Sequence, residues 1–321
     1  MKGRCIMERE VFLSVEGLSK KYGEILAVDD VTFSVQRGEV LGLLGPNGAG
    51  KTTIIKMLCG LLKADAGNIT IGGVSISTGY NQIKRMIGLC PQEIVIWEQL
   101  TCLEQLKFVG MSYGLSYKEA GKKAESLLEA LGLSAKKNKI AKTLSGGMQR
   151  RLNIALAITH DPEVIILDEP QAGLDPQSRI LVRDFIRQLA KEKTVILTTH
   201  DMDEADRLSD RVAIIDHGKI LLIGTPEKLK EKSGMGDIIQ VRINEVNKDK
   251  IDLLLNSMPP EFTEKKYSDG LLLLGASEVL ELIPKVNNTL KTFNIHIEDM
   301  TIRKRTLEDA FISMTGRGLR E

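Results

Sequence analysis

The sequence lacks any long hydrophobic run. None of its apolar stretches approaches the roughly 18 residues that a transmembrane helix requires. The N-terminal extension, residues 1–10, is too charged and too poor in apolar residues to resemble a secretory signal peptide. We therefore expect a soluble, cytoplasmic chain that contacts a membrane only through a partner. Strand-like patterning begins at Val11, so Met1 and Met7 are both candidate starts of translation.

The sequence also lacks an excess of charge and has few cysteines. Its 44 Lys and Arg residues balance 43 Asp and Glu residues, which leaves a net charge of +1. This balance argues against a nucleic-acid binder that is held by bulk charge. The four cysteines show no paired metal-ligand spacing, so free thiols in a reducing compartment are expected. They are Cys5, Cys59, Cys90 and Cys102.

One glycine-rich segment matches the pattern of a phosphate-binding loop, in which Gly, four residues, Gly and Lys precede Ser or Thr. It consists of Gly45, Pro46, Asn47, Gly48, Ala49, Gly50, Lys51, Thr52 and Thr53. The glycines allow successive backbone N–H groups to surround phosphate oxygens. Lys51 is then expected to reach the β- and γ-phosphates, and Thr52 to offer its hydroxyl to Mg²⁺. The strand and helix predicted on either side place a helix N-terminus under the anion.

A pair of carboxylates follows a second apolar stretch. Asp168 and Glu169 come directly after residues 164–167, which are typical of a strand buried on both faces of a parallel sheet. Ligands bind beyond the carboxyl ends of such strands. Asp168 is therefore expected to hold Mg²⁺, and Glu169 to polarise the water that attacks the γ-phosphate. The alternative is that the two carboxylates simply lie in a loop and cap the next helix.

Two more strand ends carry polar side chains. His200 follows the apolar strand predicted at 194–199 and is either a sensor of the γ-phosphate or a structural histidine. Gln92 follows the strand predicted at 87–90, where its amide is placed to bind a metal or sense the γ-phosphate. If both strands belong to the same parallel sheet as the carboxylates, all these groups meet at one edge.

A second candidate for anion binding begins at Leu144. Ser145 is a good N-cap for the helix that follows, and Gly146 and Gly147 leave backbone N–H groups uncovered. The alternative is a well-capped helix without a ligand.

Two aromatic residues have both a structural and a functional interpretation. Tyr22 lies in a predicted turn at 20–23 and either packs on the sheet or stacks on a base. Trp97 ends the apolar run 94–97, just before the helical pattern of residues 100–133. This run is either buried or forms an exposed apolar rim that receives a helix of another protein.

Taken in order, these segments resemble the nucleotide-binding subunit of an ATP-binding cassette (ABC) transporter. The likeness covers residues 11 to about 233 and rests on motifs of known order: the phosphate loop, a Q-loop at Gln92, the LSGGMQ signature from Leu144, the Asp168–Glu169 pair, a D-loop at Asp175 and the switch His200. It implies an α/β P-loop NTPase fold with a mainly parallel core sheet, an antiparallel β subdomain and a helical subdomain at about 98–160. The nucleotide-binding domain is then residues 11–235.

The resemblance also implies an ATPase that uses ATP and Mg²⁺ as a head-to-tail homodimer. One copy would contribute the phosphate loop together with Gln92, Asp168, Glu169 and His200. The other copy would contribute Ser145, Gly146 and Gly147. Glu169 and His200 would be catalytic, and Mg²⁺ would be held by Thr52, Gln92 and Asp168. Tyr22 would stack on adenine, Asp175 would contact nucleotide, and a separate membrane permease would feel dimer closure through residues 94–97.

The pattern changes after residue 235. Residues 236–321 alternate strand, helix, hairpin, helix, strand and helix, which resembles a small α+β domain of the ferredoxin-like type. The segment 306–311 resembles the tails of drug-resistance-type exporter ATPases, so export of a drug-like small molecule or ion is favoured. The alternatives are an importer subunit and a soluble ABC ATPase of translation or DNA repair. The tail domain is either regulatory or a stability cap.

Overall fold

The computed structural model describes residues 10–232, 234, 236–244 and 248–315. The chain divides into two compact units, residues 1–225 and residues 226–321. The division lies ten residues before the boundary predicted from the sequence. Each unit has its own sheet system and its own apolar core.

The core sheet of the first unit has the order β10-β9-β3-β8-β7-β6. Its strands are β3 (Val40–Leu44), β6 (Ile87–Cys90), β7 (Val164–Asp168), β8 (Thr194–Thr199), β9 (Arg211–Asp216) and β10 (Lys219–Gly224). All neighbouring pairs are parallel except β9 and β10. Every residue of β3, β7 and β8 is buried, because helices or strands cover both faces. A tight hairpin joins β9 to β10, with His217 and Gly218 both at positive φ.

A second sheet in this unit is antiparallel and has the order β2-β1-β4-β5. Its strands are β1 (Val11–Tyr22), β2 (Ile25–Gln36), β4 (Ala66–Ile71) and β5 (Val74–Ser75). The turn predicted at 20–23 is shorter in the structure, because β1 continues to Tyr22. Lys20 and Lys21 still pair with β2, although the register shifts between them, and the Lys20 Nζ donates to Asp65 at 2.7 Å. Positive φ at Gly23 then allows the turn itself.

Helices flank both sheets. They are α1 (Lys51–Leu58), α2 (Ile76–Met86), α3 (Cys102–Ser112), α4 (Tyr117–Ala130), α5 (Gly146–Ile158), α6 (Pro176–Leu189) and α7 (Met202–Leu208). The helical pattern predicted for 100–133 is two helices in the structure. Gly114 breaks it at φ 97°, and capping boxes at Thr101 and Ser116 start α3 and α4. Helices α3, α4 and α5 form the predicted helical subdomain.

The second unit has the connectivity and the antiparallel sheet of a ferredoxin-like fold, as predicted. Its elements are α8 (Pro226–Lys232), β11 (Asp237–Ile243), α9 (Lys248–Ser257), β12 (Glu264–Ser268), β13 (Leu271–Ala276), α10 (Val279–Thr292), β14 (Ile297–Arg303) and α11 (Leu307–Thr315). The strand order is β12-β13-β11-β14. Leu229 of α8 is buried, and α8 packs on α11 of the same unit, which explains why the unit begins at Pro226. Within the described residues, no helix combines the length and the apolar character needed to cross a bilayer.

Candidate functional site

The phosphate loop joins β3 to α1 and has a backbone that requires glycine. Gly50, the N-cap of α1, has φ 100°, and Gly48 has φ 82°. A Cβ atom at Gly50 would lie 2.5 Å from the carbonyl oxygen of Ala27, and one at Gly45 would lie 2.1 Å from that of Ile215. The spacing recognised in the sequence therefore corresponds to a loop that the rest of the fold closely surrounds.

Lys51 is the buried cation of this loop, at 6% exposure. Its Nζ donates to the carbonyl oxygens of Gly45 at 2.7 Å and Pro46 at 3.0 Å. Burial lowers the pKa of Lys51, while the charges of Glu169 and Asp168 oppose that shift. The ammonium group thus lies inside the loop and close to both carboxylates.

Asp168 ends β7 and is held on both oxygens. Thr52 of α1 donates to Oδ2 at 3.2 Å, and Thr198 of β8 donates to Oδ1. Thr198 is the parallel register partner of Asp168, so the sheet itself fixes this contact. The two side chains predicted to bind Mg²⁺ through hydroxyl and carboxylate oxygens, Thr52 and Asp168, are therefore neighbours.

Glu169 begins the loop after β7 in an unusual backbone conformation, with φ 48°. Its N–H donates to Thr198 Oγ1 at 3.0 Å, and its Oε1 lies 3.0 Å from His200 Nδ1. The Glu169 side chain is buried, whereas the His200 side chain is 56% exposed. Left-handed residues other than glycine carry strain of about 1–3 kcal/mol and cluster at functional sites. The two residues predicted to be catalytic are thus in direct contact.

One cleft of about 360 Å³ brings most of the predicted residues together. Its lining includes Gln92 together with Asp168, Glu169 and the loop residues 47–53. The oxygen donors available here, a hydroxyl, a carboxylate and an amide, are those that Mg²⁺ prefers. Mg²⁺ also keeps waters and phosphate oxygens as ligands, so few protein donors suffice. The described residues at the cleft therefore fit Mg²⁺ and a triphosphate.

Ser145, Gly146 and Gly147 are not among the described residues that line this cleft. Ser145 caps α5 as predicted, its Oγ accepting from the N–H of Met148 at 3.4 Å. Ser145 and Gly146 are exposed. Asp175 lies beside Gly147, since a Cβ atom at Gly147 would be 3.5 Å from the Asp175 carboxylate. This carboxylate caps α6. Hydrogen bonds from Ser178 lower the pKa of Asp175.

Tyr22 also lies outside the lining of the cleft. Its side chain is half exposed at the end of β1, with Lys20 Nζ 6.0 Å from the ring centroid. Adenine stacking by Tyr22 and nucleotide binding by Asp175 remain predictions.

Comparison with known proteins decides the family. The sequence profile described as ABC transporter matches residues 28–172. The linearmycin resistance ATP-binding protein LnrL of Bacillus subtilis is 38% identical over 315 residues, which cover 96% of this chain and 100% of LnrL. The chain belongs to the ABC transporter ATP-binding proteins.

Other relatives agree with this assignment. The doxorubicin resistance ATP-binding protein DrrA of Mycobacterium tuberculosis is 35% identical over 308 residues, covering 94% of this chain and 92% of DrrA. A solved dimeric ATP-binding cassette in a post-hydrolysis state, bound to ADP and Pi, superposes with a TM-score of 0.62 and 27% identity. That likeness covers 66% of this chain and 98% of the solved one. This protein is accordingly an ABC ATPase with an additional ferredoxin-like domain.

Two residues at the site of this ABC ATPase were not singled out from the sequence. Thr198 joins the two carboxylate residues, since its hydroxyl accepts from the Glu169 N–H and donates to Asp168. The parallel pairing of two strands predicted as buried could have indicated it. Arg150 of α5 donates to the carbonyl oxygens of Asp168 and Glu169. No sequence signal identified this arginine.

Glu204 of α7 is a largely buried carboxyl group beside the His200 loop. Burial raises the pKa of Glu204 to about 7, although the hydrogen bond from Thr199 Oγ1 at 2.6 Å lowers it. The folded pKa therefore lies above that of the unfolded chain, which is about 4.3. Between these two values the folded chain binds the extra proton, so stability falls as pH rises through this window.

The Glu204→Gln variant should consequently melt a few degrees above the wild type at about pH 8, and this advantage should vanish towards about pH 4. Differential scanning calorimetry at both pH values measures it. Glu192→Gln is the matched control, because Glu192 carries an exposed carboxyl group just before β8. Its melting temperature relative to the wild type should not depend on pH. An equal gain for Glu204→Gln at both pH values would contradict the raised pKa.

Proposed function

We propose that this ABC ATPase drives an exporter of a drug-like small molecule or ion through a separate membrane subunit. The observation that carries the proposal is the convergence of the phosphate loop, Asp168 and Glu169 on one cleft, with His200 in contact with Glu169. Export is supported by the names of relatives that match almost the whole chain, which are resistance proteins such as LnrL and DrrA. The subunit would then lie at the cytoplasmic face of the cell membrane.

In this proposal each side chain at the cleft, and His200 beside it, has one task in hydrolysis. The loop N–H groups and Lys51 bind the β- and γ-phosphates. Bound Mg²⁺ would neutralise phosphate charge, held by Thr52, Asp168 and Gln92. Glu169 accepts a proton from the attacking water, and His200 keeps the Glu169 carboxylate oriented through their 3.0 Å contact.

The second half of each nucleotide site would come from another copy of the chain. Ser145 and Gly146 are exposed at the N-terminus of α5, a position that favours anions, yet they do not line the cleft of their own chain. A head-to-tail homodimer would bring them to the γ-phosphate in the partner's cleft. ATP would then stabilise the dimer, and hydrolysis would release it.

The membrane subunit would contact the apolar rim, defined as residues 94–97. In the rim Val95 is 61% exposed and Trp97 is 46% exposed, and the Trp97 ring packs edge-on against Phe108 at 5.4 Å. The backbone N–H of Trp97 donates to the side-chain oxygen of buried Gln105, and this bond connects the rim to α3. Exposed aromatic and aliphatic groups of this kind suit the insertion of a helix.

Replacing Trp97 with alanine should leave the ATPase activity of the isolated subunit within about twofold of the wild type. Binding to the membrane subunit should weaken by about 30-fold or more, because buried tryptophans at interfaces are often worth about 2 kcal/mol or more. Surface plasmon resonance between the two purified subunits measures this affinity. Tyr117→Ala, an exposed aromatic of α4, is the control. Loss of folding in Trp97→Ala alone would instead make Trp97 a core residue.

Measuring the direction of transport requires the complete complex of this subunit with its membrane subunit. In proteoliposomes, ATP supplied on the side that carries this subunit should move the transported compound away from that side. Movement towards that side would favour an importer. Failure to assemble with any membrane subunit would favour the soluble alternative.

A further inference from the structure

Arg150, in the second turn of α5, is one of the most buried charged residues of the first unit, at 2% exposure. Within the described part of the chain, its hydrogen bonds all end on backbone carbonyl oxygens. They run from Nε to Pro170 (3.2 Å), from Nη1 to Pro91 (2.5 Å) and Gln92 (2.9 Å), and from Nη2 to Asp168 (2.6 Å) and Glu169 (2.7 Å). One side chain therefore holds the loop after β7 and the loop after β6 together.

This arrangement fixes the backbone on both sides of the Glu169 side chain. The Glu169 carbonyl accepts from Arg150, while the Glu169 N–H donates to Thr198. A glutamate at φ 48° keeps that conformation only where its surroundings determine it. Arg150 supplies the determining contact on the carbonyl side, and the direction of the carboxylate depends on that backbone.

Only an arginine can make this set of contacts. The guanidinium group is planar and presents its N–H donors in a rigid fork, so it can bond to two loops at once. A lysine has the same charge but a single ammonium group, which cannot reach carbonyl oxygens spread over both loops. A lysine at position 150 would keep the charge and lose the geometry.

The loop after β6 has a second attachment to α5 that does not involve Arg150. Asn153 is buried and donates to the Glu93 carbonyl at 3.2 Å, and its Oδ1 accepts from the Val95 N–H at 3.2 Å. Changing Arg150 should therefore displace the residues next to the cleft without detaching the loop from the helical subdomain.

We propose that Arg150 is a positioning residue for ATP hydrolysis, which holds Glu169 and Gln92 in the geometry that the reaction requires. The proposal rests on the roles given to those two residues in the proposed function. It assigns Arg150 no contact with nucleotide, because none of its hydrogen bonds is directed at the phosphate loop. Its removal should therefore affect turnover far more than ATP binding.

The test is the steady-state ATPase activity of purified Arg150→Lys. The kcat should fall by about 100-fold, the loss that a displacement of about 1 Å can cause, while KM for ATP changes by less than about threefold. The control is Arg211→Lys. Arg211 begins β9, at the amino ends of the parallel strands, whereas the cleft lies at their carboxyl ends. Its guanidinium donates to Glu39 at 3.1 Å and to the Ser34 carbonyl. That variant should keep kcat within about twofold.

A kcat for Arg150→Lys no lower than that of Arg211→Lys overturns the proposal, as does a raised KM with unchanged kcat. If Arg150→Lys does not fold by circular dichroism, Arg150→Gln is measured in its place. Failure of both to fold, with Arg211→Lys folded, makes Arg150 a folding residue and also overturns the proposal. Glu169→Gln is measured alongside. Normal hydrolysis in that variant refutes the role of proton acceptor that the proposed function gives to Glu169, whereas slow hydrolysis by Glu169→Gln with normal hydrolysis by Arg150→Lys refutes only the positioning role.

Discussion

Replacing Lys51 with alanine should weaken ATP binding by about 100-fold or more. Lys51 is the buried cation of the phosphate loop, and its ammonium group lies close to both Asp168 and Glu169. Removing it takes away the ammonium charge that opposes those two carboxylates, so a triphosphate would enter a more negative site. Losing one partner of a buried charge pair commonly costs about 2–5 kcal/mol, which corresponds to this fold-change.

Isothermal titration calorimetry with Mg-ATP measures the effect directly. Lys56→Ala is the matched control, since Lys56 lies on the same helix α1 but is exposed. It should bind ATP as the wild type does. Equal affinities of Lys51→Ala and Lys56→Ala would refute the role given to Lys51, provided that both variants fold.

Replacing Glu169 with glutamine should lower kcat by about 100-fold or more while ATP binding is retained. The substitution keeps the size of the side chain and removes the proton acceptor, and general-base catalysis is typically worth 10²–10⁴-fold. Because the left-handed backbone at residue 169 is held by Thr198 and Arg150, the amide should occupy the position of the carboxylate.

A single-turnover assay with radiolabelled ATP separates binding from chemistry in this variant. Glu192→Gln provides the control for loss of an exposed carboxylate in the same unit. Near-normal hydrolysis by Glu169→Gln would place the proton acceptor elsewhere. Weak ATP binding would instead indicate that Glu169 supports the phosphate loop.

Much of this site could be predicted because it depends on local patterns. The phosphate loop was recognisable because close backbone packing requires glycine at fixed positions, as the left-handed Gly50 illustrates. The parallel strands β7 and β8 were recognisable because strands buried on both faces are continuously apolar. Parallel strands share a carboxyl edge, so the positions of Asp168 and His200 followed from the strand predictions.

What could not be predicted depends on contacts between distant segments. Arg150 lies on a helix whose sequence predicts only a capped, apolar helix, and its partners come from two loops elsewhere in the chain. The two compact units divide ten residues before the boundary that the sequence pattern indicates, because the short helix α8 has little apolar pattern of its own. Its assignment depends on packing against α11, some 80 residues further along the chain.

We expect the triphosphate to be enclosed by the phosphate loop of one copy and Ser145–Gly147 of another. Sedimentation equilibrium of Glu169→Gln with Mg-ATP tests it most directly. Glu169→Gln should form a dimer with ATP and remain a monomer with ADP. With Ser145→Arg added it should remain a monomer with ATP, although the double variant still binds ATP. A monomer of Glu169→Gln at saturating ATP, or a dimer that is indifferent to Ser145→Arg, would contradict it.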